Sequence, residues 1–138
     1  MDPNKQTQYS GFSLVELMIV IVIVGLLAAV AVPIYYNSVY DAKKAEAIAT
    51  MGSIKGQINM YYGEYGWYPI VDKKDYVIGA FWNDIKPGEL RGVNFSDSSY
   101  LYKSKDGDKW ELIVDKKTTF FEKDLKMKSD GTISGGEK

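Results

Sequence analysis

The chain has 138 residues, with 17 basic and 18 acidic side chains and neither cysteine nor histidine. Balanced charge leaves no basic surplus of the kind that nucleic acid or an anionic membrane surface demands, so neither is expected as a partner on that ground. The missing cysteine excludes a disulfide framework, a thiolate nucleophile and a Cys-based metal site. The missing histidine removes the commonest general base and transition-metal ligand, so no enzyme is expected.

Asp2 and Lys5 cancel within residues 1–11. The run Gly11-Phe12-Ser13-Leu14-Val15-Glu16 follows, and behind it Leu17 to Val32 is apolar throughout. Residues 12–36 hold Glu16 as their one charged side chain. As a helix these 25 residues reach about 37 Å at ~1.5 Å per residue, enough for a hydrocarbon core of about 30 Å. A carboxylate at the lip of such a segment is costly, by roughly 2.5–3.5 kcal/mol at mid-membrane and less near the interface. A plain membrane anchor accounts for the length but has no use for Glu16. A secretory signal peptide cut after Ala29-Val30-Ala31 has a small-residue site, but it lacks a positive leading segment and its apolar run is long.

Gly11-Phe12-Ser13-Leu14-Val15-Glu16-Leu17-Met18 resembles the type IV pilin signature, the reading that accounts for both the length and Glu16. The resemblance implies a leader peptide, residues 1–11, removed after Gly11 by a prepilin peptidase that also N-methylates Phe12. Glu16 then becomes the fifth residue of the mature chain. Gly25 and Pro33 fall where members of this family commonly place a helix-weakening glycine and a proline. Gln8-Tyr9-Ser10 stand where family leaders usually carry basic residues.

Beyond Pro33, which cannot donate its backbone N–H, Ile48, Met51, Ile54, Ile58, Tyr61 and Tyr62 recur at helical spacing. One helix is therefore expected from about Phe12 to about Tyr62, kinked or thinned near Pro33. Its length of about 75 Å exceeds what a domain of this size can bury, so its first half should protrude. Gly52 and Gly56 lie in the polar half, where a G-x-x-x-G pattern reads as two tolerated glycines. Gly63-Glu64-Tyr65-Gly66 carries the stop signals. Gly66-Trp67-Tyr68-Pro69 resembles the Gly-x-Tyr-Pro element found after the helix in many pilins and in the major pseudopilins of type II secretion. Residues 70–95 are mixed, and Tyr76–Trp82 fits either a strand or a short helix. Tyr100–Lys103, the Asp106-Gly107 turn and Trp110–Val114 read as a β-hairpin. A third strand is expected within Thr118–Lys126, then a turn at Ser129-Asp130-Gly131 and a closing Thr132-Ile133-Ser134. A lone hairpin is marginal in water, so the sheet should pack on the apolar face of residues 48–62. The expected fold is α+β: a long helical spine carrying a small antiparallel sheet, with residues 12–36 as the transmembrane and polymerisation helix and 37–138 as the soluble head.

Asp106 and Asp108 are weak candidates for calcium, since major pseudopilins bind it in C-terminal loops. Asp-Gly-Asp is also ordinary turn chemistry, and no cofactor is expected. The dense tyrosines from Tyr35 to Tyr68 read as packing and interface residues rather than a charge-transfer path. Asn94-Phe95-Ser96 matches a glycosylation acceptor by accident of composition.

The resemblance implies a structural subunit of a type IV pilus or pilus-like filament, a homopolymer of identical chains. The precursor would sit in the bacterial cytoplasmic membrane until the pilus assembly machinery lifts it into an extracellular filament. There Glu16 would pair with the Phe12 ammonium of a neighbour. Two alternatives stand beside it: a major pseudopilin building a periplasmic filament, and a non-polymerising anchored or secreted binding module.

Overall fold

The computed structural model describes residues 11–137. They fall into two compact units divided between Tyr40 and Asp41. One helix, α1, runs from Leu14 to Tyr65 with Pro33 inside it. The helix ends three residues later than its apolar spacing indicates. Gly66 stops it in a left-handed conformation (φ 81°), its N–H donating to the Tyr62 carbonyl at 2.8 Å.

In the first unit α1 is apolar on every face from Leu17 to Val32, and residues 11–38 are exposed throughout. A helix without a polar face finds its complement in lipid or among other apolar helices. Its length and composition suffice to cross a membrane. Pro33 supplies no N–H, so the carbonyl four residues back, on Ala29, lacks its usual donor. One turn further on, the Ser38 hydroxyl donates to the Ile34 carbonyl at 3.0 Å.

In the second unit the same helix is amphipathic. Ala47, Met51, Ile54 and Ile58, at spacings of four, three and four, are wholly buried. Five antiparallel strands follow in the order of the chain: β1 Val71–Tyr76, β2 Tyr100–Ser104, β3 Glu111–Val114, β4 Leu125–Lys128 and β5 Ile133–Ser134. Tyr100 lies opposite Val114 and Tyr102 opposite Leu112. Those two β3 residues lie opposite Leu125 and Met127 of β4. Period-two alternation sends these six side chains to one face, and all are buried. The core of the head includes this face, the four helix residues and buried loop aromatics such as Trp82, Phe95 and Trp110. Fully burying an Ile or Met side chain is worth about 1.5–3 kcal/mol.

The hairpin β2–β3 falls where the sequence indicates. Two other segments differ. β1 was not legible, because Val71-Asp72-Lys73-Lys74-Asp75-Tyr76 is an edge strand with five exposed positions and no alternation. Charges on such an edge oppose pairing with another chain. The third strand expected within 118–126 begins only at Leu125. Asp115 accepts the Lys117 N–H at 2.9 Å and opens a single 3-10 turn over Lys116–Thr118. Tyr76–Trp82 is neither strand nor helix beyond Tyr76; it turns at Gly79 (φ 74°).

Polar side chains hold the loop between β1 and β2. The Asp97 carboxylate accepts the N–H groups of Gly88 (2.7 Å) and Leu90 (3.1 Å). Asn83 donates to the Val77 carbonyl and accepts from Ile85, both at 3.0 Å. At the C-terminal end the Glu137 carbonyl accepts the Glu122 N–H at 3.0 Å, and Lys44 of α1 donates to the Gly135 carbonyl at 3.1 Å. Gly135 (φ 79°) packs so closely on the Asp124 carbonyl that a Cβ would overlap it.

Candidate functional site

The motif at the start of α1 is built by local hydrogen bonding. Ser13 precedes the first helical residue, and its hydroxyl accepts the Val15 N–H at 3.3 Å. Glu16 reaches back, and its carboxylate accepts the Ser13 N–H at 2.9 Å. The pattern is that of a capping box, Ser-x-x-Glu, with the Ser13 hydroxyl on the second helical N–H rather than the third, and two N–H groups that the helix cannot satisfy find side-chain oxygens. The carboxylate also sits at the positive end of the helix dipole. Both effects lower the cost of keeping a charge beside an apolar segment, a contribution of Ser13 that the sequence reading did not assign. Gly11 and Phe12 lie just outside the helix, Phe12 with 81% of its surface exposed. Gly25 has open space on all sides where a side chain would stand. The expected leader, apart from Gly11, lies outside the described residues.

The Gly66–Pro69 element is tied to the sheet. Tyr102, buried in β2, donates its hydroxyl to the buried Pro69 carbonyl at 2.9 Å. Burial pushes this hydroxyl above the ordinary tyrosine range. Tyr68 donates its N–H to the Gly107 carbonyl at 2.9 Å, and its ring stacks on Tyr62 at 4.5 Å. Gly107 is left-handed (φ 79°), and a Cβ there would stand 3.3 Å from the Tyr68 carbonyl oxygen. Glycine is thus required twice at that position, for the turn and for the close approach.

In the turn the Asp106 side chain has a structural part, and Asp108 contributes its backbone N–H. Asp106 Oδ1 accepts the N–H groups of Asp108 (3.2 Å) and Lys109 (3.4 Å), which hold its carboxyl below the usual range. Among the described residues no group of three carboxylates is placed to hold a metal ion. Asn94, in the apparent glycosylation triplet, is bound to Glu46 through both its backbone N–H (3.0 Å) and its side-chain amide (2.5 Å). These bonds, the side-chain one first, hold the Glu46 carboxyl below its ordinary value. Gly92 lies against that carboxylate, leaving no room for a Cβ. Glu46 carries no sequence signal, because its partner is 48 residues away. Tyr61 and Tyr65 bring tilted rings to 4.4 Å, and Trp82 and Tyr102 to 4.7 Å, while Tyr35 and Tyr36 are exposed.

A capped start on an apolar helix, followed by an α+β head, is similar to the arrangement that the prepilin-type N-terminal signature of type IV pilins and pseudopilins implies. Residues 7–32 match the family model described as the prokaryotic N-terminal methylation motif. Among individual proteins, the chain is 46% identical over 65 residues to fimbrial protein EcpC of Eikenella corrodens, a stretch covering 47% of this chain and 42% of that one. It is 46% identical over 63 residues to type IV major pilin protein PilE1 of Neisseria gonorrhoeae, covering 46% and 38% respectively. Fimbrial protein EcpB of Eikenella corrodens is 40% identical over 92 residues, 66% of this chain and 55% of the relative. The chain thus covers less than two thirds of the length of each of these relatives. No solved structure gives a significant match.

Proposed function

We propose that the chain is a structural subunit of a type IV pilus, assembled as a homopolymer from the cytoplasmic membrane into an extracellular filament. The observation that carries this reading is the capped Ser13–Glu16 start on an exposed, wholly apolar helix, in a chain similar to type IV pilins. A prepilin peptidase would cut between Gly11 and Phe12 and methylate the new amino terminus. The assembly machinery would then draw the apolar helices together. In that water-free bundle the Glu16 carboxylate would meet the Phe12 ammonium of a neighbour. Removing one member of a buried ion pair costs roughly 3–5 kcal/mol, so the pair would set the register. Gly25 and Pro33 would supply local flexibility, since neither supports a regular helix. The subunit does no chemistry in this reading and needs no cofactor.

Two measurements test it. Mass spectrometry of the native protein should give a chain beginning at Phe12 with one added methyl group. A start at Val32 would instead establish a cleaved signal peptide. Electron microscopy of sheared cell-surface material, with antibody to residues 37–138, should label long filaments. Label confined to the periplasm would select a pseudopilin, and an absence of polymer would select an anchored binding module.

A further inference from the structure

Two surface features of the head are complementary in charge. The first is an open cavity of about 230 Å³ at the end of α1. Tyr61 and Phe81 meet in it nearly at right angles (80°, ring centres 6.4 Å apart), and Tyr65 stacks on Tyr61. Phe81, 74% exposed, and Met60, 69% exposed, present apolar surface to solvent. Glu64 and Asp84 also line it; Glu64 lies beside the Tyr65 hydroxyl, but among the described residues neither carboxylate has a cationic partner and no basic side chain lines the cavity. Exposed aromatic faces and carboxylates without a cationic partner are the chemistry that receives an organic cation.

The second feature is a cleft of about 610 Å³ beside the β2–β3 hairpin, where Lys103, Lys105, Lys109 and Lys128 gather. Among the described residues none of these four has a carboxylate within ion-pairing distance. The acids of the same cleft are already engaged: Asp106 with the amides of its own turn, Asp130 with the Thr132 N–H, and Glu111 with Lys126. The two features lie on different sides of the helix end. Tyr61 faces Phe81 in the cavity, while Tyr62 leads through Tyr68 to Trp110 in the cleft. Successive helical residues point about 100° apart.

We propose that the occupant of the aromatic, acidic cavity is a second copy of this chain, which inserts lysines of its β2–β3 turn, Lys105 and Lys109. The inference rests on the filament reading above and specifies one head-to-head contact within it. Each copy offers a cavity on one side and lysines on another, so the contact is heterologous and does not close on itself; repeated, it builds a helical array. Charge complementarity sets which sides meet, and the aromatic walls exclude water around the ion pairs.

The test uses native filaments. Zero-length carbodiimide cross-linking, followed by peptide mass spectrometry, should join Glu64 or Asp84 of one subunit to Lys105 or Lys109 of the next. The double variant Glu64→Lys/Asp84→Lys should accumulate as processed subunit in the membrane at the parental level, while sheared filament falls about tenfold or more. Adding Lys105→Glu/Lys109→Glu should restore the yield, because the pairing is then reversed rather than lost. Parental filaments that cross-link only elsewhere, a Glu64→Lys/Asp84→Lys variant that assembles like the parent, or a four-site variant whose yield stays as low as that of the double variant would overturn the contact and leave the pilus reading standing. A parental chain that forms no filament would overturn both.

Discussion

Tyr102→Phe isolates the bond between the Gly66–Pro69 element and the sheet. The substitution keeps the ring, stacked on Trp82 at 4.7 Å, and removes only the hydroxyl that donates to Pro69. Tyr102 and Pro69 are both buried, so the carbonyl loses its partner where water does not replace it. A buried acceptor left unsatisfied costs about 1–3 kcal/mol. For a small domain with a urea slope of about 1–3 kcal/mol per molar, a loss of about 2 kcal/mol lowers the unfolding midpoint by roughly 1 M. Tyr100→Phe is the internal control. Its hydroxyl is also buried and makes no hydrogen bond of good geometry among the described residues, although the Thr50 hydroxyl, which donates to the Glu46 carbonyl, lies beside it. Deleting it removes a desolvated polar group and should leave the midpoint unchanged or raise it. The assay is urea titration of the detergent-solubilised full chain, followed by tryptophan fluorescence. Equal midpoints for parent and Tyr102→Phe would refute the claim that this bond anchors the element, as would equal losses in the two variants.

Three further outcomes are expected. Glu16→Ala and Glu16→Gln should both insert and be processed but lose filament yield. Gln retains the backward hydrogen bond of the capping box without the charge, so parental assembly by the Gln variant would make capping the whole role of Glu16; sheared filament against total processed subunit is the readout. The head should lose stability in acid through Glu46. Its carboxyl is held below the ordinary value of 4.5, so its contribution is present above that pH and is lost as pH falls through the lower folded value. Glu46→Gln should flatten that limb in thermal melts taken from pH 7 to pH 3, and an unaltered limb would show that other carboxylates carry it. Finally, Gly135→Ala should lower the melting temperature by about 4 °C or more, since a left-handed backbone and the Asp124 carbonyl both oppose a Cβ. Gly56→Ala, at an exposed helical position with nothing within 4 Å, should raise it; a rise in both would refute the C-terminal packing.

Local and periodic features were legible in the chain alone. The apolar run after Gly11, the stop at Gly63–Gly66 and the Asp106-Gly107 hairpin each depend on residues a few positions apart, and physics at that range leaves a pattern in the sequence. Of the six apolar residues at helical spacing, Met51, Ile54 and Ile58 are buried, because one face must recur every three or four residues, whereas Ile48 and Tyr61 are half-buried and Tyr62 is exposed. Partners distant in sequence were not legible. Glu46 with Asn94, Lys44 with the Gly135 carbonyl and Tyr102 with Pro69 are separated by 48, 91 and 33 residues. No periodicity connects them; they meet because the folded chain brings the loops between the strands back to the helix and to one another. The charged edge strand β1 escaped for a related reason: it earns its ladder bonds from β2, not from its own side chains. Even Glu16, the most conspicuous residue of the chain, was read first through its charge. Only the three-dimensional start of α1 decided that its carboxylate returns to Ser13 as a helix cap.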